Sequence, residues 1–459
     1  MNMLTSLVLA GTLSVLATGP VWAGTSADEA NELGGDKLTA FGAEKAGSAD
    51  GAIPAYTGGL STPPTGHAPG GPQWQNPYAS EKPLYSITSK NMEQYADKLT
   101  PGTKALLTKD PTLRIDVYPS HRSMYYPDWV LENTKKDATT AKLTGEVEGD
   151  GVTGSYAGIP FPMPKNGYEA IWNTYLHFQP VYTDLRGGCY LMDSSGGLTE
   201  TANVMTVTST PYYDDKQSKL SDGYYEKYSS ILYEPATQSG QKVAKFYTAN
   251  FSQQDEQSWL YMPGQRRVRV APEFKYDTPI AQVGGALFFD ELYGMSGRLD
   301  RFDFALKGKK EMIVPYNDYG LASADVNSVA GTKHLNPEKV RWELHRVWVV
   351  DATLKADKRH AFSRRTFYID EDSWTISTTE SYDNNHQIER VYYTFPIFYY
   401  EKNLGGVGTQ SFAVYDLLKG SYYLNNFNVG SGSNHLFVKD KILNPQQFTP
   451  VGLAGSGIS

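Results

Sequence analysis

Trp342-Glu343-Leu344-His345-Arg346-Val347-Trp348-Val349-Val350-Asp351 sets two kinds of side chain on alternate positions. Trp342, Leu344, Arg346, Trp348 and Val350 fall on one side, and Glu343, His345, Val347, Val349 and Asp351 on the other, as they would along an extended strand. Residues 366–369, 374–378 and 390–393 continue the pattern, with Asp370-Glu371-Asp372-Ser373 and Asp383-Asn384-Asn385 as turns. Parallel neighbours would need long crossover connections, and these links are too short for one. The stretch therefore predicts an antiparallel meander.

Working upstream, the period of two begins near Cys189 and includes residues 203–208. Residues 257–262 and 266–270 flank Pro263-Gly264 as a hairpin. Before Cys189 the pattern turns helical. Residues 88–110 read as two short helices with Pro101 opening the second, and residues 127–143 as another. In residues 167–178, Tyr168, Ile171, Trp172, Tyr175 and Leu176 recur at helical spacing and make one apolar face. The expected fold is mainly β with some α: a curved antiparallel half-barrel, with 167–178 as a lid helix across its open side. Residues 24–87 are expected to form an irregular N-terminal arm. It opens on a capping box at Ser26-x-x-Glu29, and its Gly/Pro/Ser/Thr-rich remainder is too poor in aliphatics for a core of its own. Residues 88–459 then form the half-barrel domain with helical insertions.

The first 23 residues carry no charged side chain, and an apolar run leads to Val21-Trp22-Ala23. Small residues at the last and third-last positions suit a signal peptidase, so residues 1–23 read as a signal peptide cleaved after Ala23, with the mature chain in the periplasm. The run is interrupted by Gly11, Thr12 and Ser14, short of the ~20 residues that a membrane span needs. Cys189 is the only cysteine, so the chain closes no disulfide on itself. Its net charge of −8, from 42 basic and 50 acidic residues, gives no general attraction to nucleic acid.

Chemistry-bearing patterns are sparse. The eight histidines are scattered, with no pair at i, i+3 or i+4, and no metal or cofactor motif is present. Asp300 and Asp303, and Asp370 with Asp372, are candidate acid pairs for an envelope hydrolase. Against that, Asp370–Asp372 lie in a turn, where Asp bonds locally to backbone, and Arg298 and Arg301 alternate with the other two as surface ion partners would. Arg266, Arg267 and Arg269 form the densest positive patch. It reads as a solvated strand, or as a docking site for an acidic partner or a ligand head group. Finally, 33 Tyr, 18 Phe and 8 Trp are an unusual aromatic load. Trp172, Tyr175, Trp259, Tyr261, Trp342, Trp348 and Trp374 either fill an ordinary core or line a cavity in a curved sheet; the pattern alone leaves both open.

The hairpin SWLYMPGQRRVRVAP (258–272) resembles that of outer-membrane lipoprotein-sorting-like proteins, relatives of the LolA and LolB carriers. LTAFGAEKAGSADGAIPAYTGG, FPMPKNGYEAIWN, GRLDRFDFALKGKKEMIVPYN, HRVWVVDATLK and RRTFYIDEDSW extend the resemblance, over nearly the whole mature chain, to a LolB-like family of unknown function from Gram-negative bacteria. The resemblance implies a half-barrel whose lid helices cover an apolar cavity, no catalytic residues and no cofactor. It also implies a carrier or transport accessory for a lipid or other hydrophobic ligand. The partners it implies are an inner-membrane transporter of the resistance-nodulation-division (RND/MMPL) type and an outer-membrane protein. A non-transporting assembly module is the remaining alternative. LolA and LolB are much shorter, and this chain lacks LolB's lipid-bearing cysteine.

Overall fold

The computed structural model describes residues 25–71, 74–401, 404–429 and 432–455; the expected leader lies outside them. Sixteen strands form one sheet among the described residues. Two short ones, β1 (Tyr85–Ile87) and β2 (Ile115–Val117), precede a first meander. That meander runs β3 (Tyr182–Met192), β4 (Leu198–Ser209), β5 (Tyr224–Glu234), β6 (Lys242–Thr248), β7 (Gln257–Met262) and β8 (Arg267–Val270). The second runs β9 (Phe302–Pro315), β10 (Trp342–Leu354), β11 (Arg364–Asp370), β12 (Ile376–Tyr382), β13 (Ile388–Thr394), β14 (Phe412–Asp416) and β15 (Ser421–Phe427). β15 pairs with β3 and so joins the two, and β16 (His435–Lys439) extends the same edge of β3. All these ladders are antiparallel; β2 alone meets β10 in parallel, through Val117 and Trp342. The path ends on β8 at one side; at the other, β10 carries the short β2–β1 branch and β9, which pairs with β10 alone, so the sheet is not a closed barrel.

Four helices matter here: α1 (Ala27–Ala30), α2 (Pro101–Lys109), α3 (Asp128–Thr140) and α4 (Gly167–Tyr175). The capping box at Ser26 and Glu29 forms as expected. The first piece of 88–110 is only a 3₁₀ turn, Met92–Tyr95. Thr100 caps α2, whose Leu106 and Leu107 join Ile115, Trp342, Leu344 and Tyr393 in a core on the outer face of the sheet.

α4 shows how strongly the sheet curls. A Cβ on Gly167 would lie 2.6 Å from the backbone of Phe304 in β9, and the Tyr175 ring stacks on Tyr225 of β5 at 6.3 Å. β9 and β5 are nine strand spacings apart along the sheet, ~43 Å if it were flat, whereas nine residues of helix span only ~13 Å. The sheet must wrap around α4. The expected lid differs in the structure, because all nine residues of α4 are buried. Trp172 donates its Nε1 proton to the Gly149 carbonyl at 2.8 Å, and the Asn173 amide clamps the Phe161 backbone from the side away from the sheet. A lid keeps one face in water; α4 keeps none, and plugs one end of the concavity.

Part of the arm packs into the core of the rest of the chain. Phe41, Ala43 and Ile53 are buried, and the Phe41 carbonyl accepts from Trp374 Nε1 at 3.0 Å. Gly42 holds φ +90°, and a Cβ there would stand 1.9 Å from the Pro162 carbonyl oxygen. Gly42→Ala should therefore lose about 2 kcal/mol or more of stability in urea unfolding, from backbone strain plus the clash. An unchanged midpoint would mean that the arm is not seated in this way.

Candidate functional site

β8 and β9 are neighbours in sequence but stand at opposite edges of the sheet, so residues 271–301 must cross from one to the other. They cross through the concavity. Phe274, Ile280, Val283, Leu287 and Phe289 pack as one apolar cluster with Leu260, Val243, Ala202 and Cys189 at one end and Tyr423, Val414, Phe412 and Tyr392 at the other. The reason is compositional, since this link carries large apolar side chains that a surface loop would leave in water. The far end of the crossing is clasped by charge. Asp290 meets His360 Nε2 at 2.8 Å and Arg365, Glu291 meets Arg390, and Arg365 donates to the Gly294 carbonyl at 2.8 Å. Its middle turns through Gly284 and Gly285, both at positive φ.

Between this segment and the sheet is a cavity of about 120 Å³. Its floor is Ala202 and Val204 of β4, Leu232 of β5 and Val243 of β6; its roof is Ile280, Val283, Leu287, Phe289 and Leu292. Cys189 sits in the wall, where burial pushes its thiol upward in pKa and keeps it unreactive.

A second, smaller cavity of about 40 Å³ continues along the same strands. Tyr175, His177, Gln179, Glu226, Tyr247 and Ser296 line it, and Tyr293 lines both cavities. A register shift between Tyr224 and Glu226 lets the neighbouring side chains Tyr225 and Glu226 both reach it. Gln179 Nε2 donates to Glu226 at 2.8 Å, and burial raises the Glu226 carboxyl to about 7. Burial lowers His177 to about 4, so its ring is neutral at neutral pH. Its Nδ1 faces the Thr174 carbonyl at 2.7 Å and must carry the proton, which leaves Nε2 as a bare lone pair with no protein partner. The Tyr247 hydroxyl is likewise buried without one. Lys245 Nζ is held nearby by Glu256 at 3.0 Å and by the Phe274 carbonyl at 3.2 Å.

The structure scatters the aromatic candidates read from the sequence. Tyr175 lines the smaller cavity, with Trp172 packed beside it at 5.3 Å. Trp259 and Tyr261 stand on the face of β7 opposite Leu260, against Phe246 and Lys242, while Trp342 lies in the outer core with α2. Trp348 stacks on Trp374 at 6.1 Å near the arm. Trp374 occupies the turn before β12 at φ +60°, not the strand expected for it.

The acid pairs are differently placed than expected. Asp370, Glu371 and Asp372 do form a turn, but a buried one, each 1–2% exposed. Arg122 grips Asp372 with Nε at 2.9 Å and Nη2 at 2.6 Å; Lys309 holds Glu371 at 2.8 Å; Ser373 and Tyr316 donate to Asp370. Burial, with Asp372 adjacent, raises the Asp370 carboxyl. Arg298 and Arg301 pair not with Asp300 and Asp303 but with Asp150 and Asp277. Asp300 accepts from Tyr276 and Asp303 faces Lys355 at 3.8 Å. Neither pair forms an open cleft with two free acids.

Among the arginines, Arg266 turns through left-handed φ (+48°), and Arg267 and Arg269 are exposed on the edge strand β8, with Arg269 on Glu273 at 2.9 Å. Charge on an edge strand discourages pairing with another sheet. Among the described residues, no group of three or more His, Cys, Asp or Glu could hold a metal ion, and no helix is long and apolar enough to cross a membrane. His177, Gln179 and Glu226 carried no sequence signal. The crossing did carry one, because a link as long as 271–301 is not a hairpin turn and must travel somewhere.

An uncharacterized protein of Pseudomonas aeruginosa is 40% identical to this chain over 424 residues, 89% of each chain. Among solved structures, the chain is similar to a DUF1329 family protein from Desulfovibrio piger, with TM-score 0.43, 14% identity, and 62% of this chain and 97% of that one covered. It is also similar to a LolA superfamily protein from Nitrosomonas europaea, with TM-score 0.35, 11% identity, and 62% and 98% covered. Residues 86–454 match the family described as "protein of unknown function (DUF1329)", and with that span and that relative the chain belongs to this family.

Proposed function

We propose that this protein is a periplasmic carrier or transport accessory that holds a lipid or other hydrophobic ligand between the 271–301 crossing and strands β3–β6. In keeping with the motif resemblance, it would work with an RND/MMPL-type inner-membrane transporter and an outer-membrane protein. The observation that carries this reading is the apolar cavity of about 120 Å³ under a segment that is packed, not strand-paired, onto the sheet. Apolar cavities of this order stay dry and take up small apolar molecules; one of roughly 150 Å³ admits benzene. A whole acyl chain needs more room, which the roof supplies by lifting. Its clasp at Asp290–Gly294 acts as the anchor and Gly284-Gly285 as the flexible point. Each Å² of apolar surface that the ligand hides from water contributes ~25 cal/mol.

Purification from the native envelope without detergent, solvent extraction and mass spectrometry test the reading. One apolar molecule per chain is expected, together with saturable binding of the uncharged fluorophore N-phenyl-1-naphthylamine to extracted protein. If extraction yields nothing and the fluorophore does not bind, the proposal is wrong.

A further inference from the structure

Resting on that carrier reading, we propose that the ligand is an amphiphile whose polar end bears hydrogen-bond donors and no negative charge. A hydroxyl, an amide N–H or an ammonium would be seated in the smaller cavity against His177 and Glu226, while the apolar part lies in the larger one. The two cavities are successive compartments of one groove. Thr206 of β4 lines the larger and Thr208 the smaller; on β5, Leu232, Ser230 and Tyr228 line the larger and Glu226 the smaller; on β6, Val243 and Tyr247 divide in the same way. Residues two apart share a face of a strand, so these sets form continuous rows interrupted by the Tyr293 ring from the crossing. Along β5, Leu232 to Glu226 covers ~20 Å, room for a long chain with its end in the smaller compartment.

The chemistry of that compartment selects the head. His177 Nε2 is a buried lone pair with no partner, Tyr247 Oη is a second orphan, and the Glu226 carboxyl holds a single amide donor from Gln179. Buried polar atoms in native proteins nearly always have partners, and a ligand donor would complete this set. No Lys or Arg lines the compartment. Lys245 is tied to Glu256 and the Phe274 carbonyl, and Arg365 and Arg390 are tied to Asp290 and Glu291. A carboxylate or phosphate would be stripped of water there with no free cation to meet it.

Four probes with ten-carbon chains test this on the extracted full-length mature protein, by displacement of N-phenyl-1-naphthylamine at pH 8 and 0.3 M salt. Decanamide should bind at least tenfold more tightly than N,N-dimethyldecanamide, which lacks donors yet is the more apolar molecule. Decylammonium should exceed decanoate by a similar factor. In His177→Phe the amide preference should fall below threefold; the wild-type series stands by itself if that variant does not fold. Equal or reversed preferences would overturn the head-group assignment and leave the carrier reading intact. Failure of the fluorophore and all four probes to bind would remove both.

Discussion

Replacing Arg122 with alanine is expected to destabilise the protein by about 3–5 kcal/mol, the range for removing one partner of a buried ion pair. The side chain is 2% exposed and makes a two-pronged contact with Asp372, itself 1% exposed. Its remaining nitrogen donates to the Glu44 carbonyl at 2.7 Å and so ties the arm to the β11–β12 turn. Truncation would leave the Asp372 carboxylate without its main counter-charge in a place that water does not reach, and would free the arm as well. Urea unfolding gives the energy. The double variant with Asp372→Ala should lose less than the two single losses added, because the stranded carboxylate is then gone. Additive losses would show that the two groups do not act as a pair.

The second large effect is on pH dependence. Asp137 of α3 is buried, accepting only from Ser155 Oγ at 2.7 Å and Tyr156 N at 3.1 Å, and burial raises its carboxyl from 3.8 to about 7. In the folded chain it stays protonated up to about 7; unfolded, it ionises above 3.8. Folding therefore takes up a proton between those values, and this residue's contribution to stability, complete below pH 3.8, is lost as pH rises toward 7. A shift of this size amounts to about 4 kcal/mol. Asp137→Asn keeps an acceptor oxygen but does not ionise, so the stability of the variant relative to wild type should climb by several kcal/mol from pH 4 to pH 8. Glu226 has the same sign in the wild type, while Asp290 and Glu343, whose carboxyls are held low chiefly by Arg365 and His345 against the burial that raises them, have the opposite one. The comparison must therefore be variant against wild type at each pH. Parallel curves would mean that Asp137 is ionised in the folded protein.

These two residues mark where local reading stops. Asp372 sits in a turn, as its neighbours in sequence imply; that the turn is buried depends on Arg122, 250 positions away. The apolar face of α4 was legible from Tyr168, Ile171, Trp172 and Tyr175. Its role as an internal plug was not, because Phe161, which covers its other side, reaches it through polar contacts with Asn173 that carry no periodic pattern.

Alternation in residues 342–351, short acidic turns and a Pro-Gly hairpin are enough to specify antiparallel strands, since strand geometry and turn chemistry act within a few residues. The order of those strands in the sheet, with β15 against β3 and β8 remote from β9, could come only from the folded chain. That order forces 271–301 through the concavity and brings His177, Glu226 and Tyr293 to one groove. Burial and close approach there are set by which segments meet across the sheet, and no stretch of sequence contains its own partner.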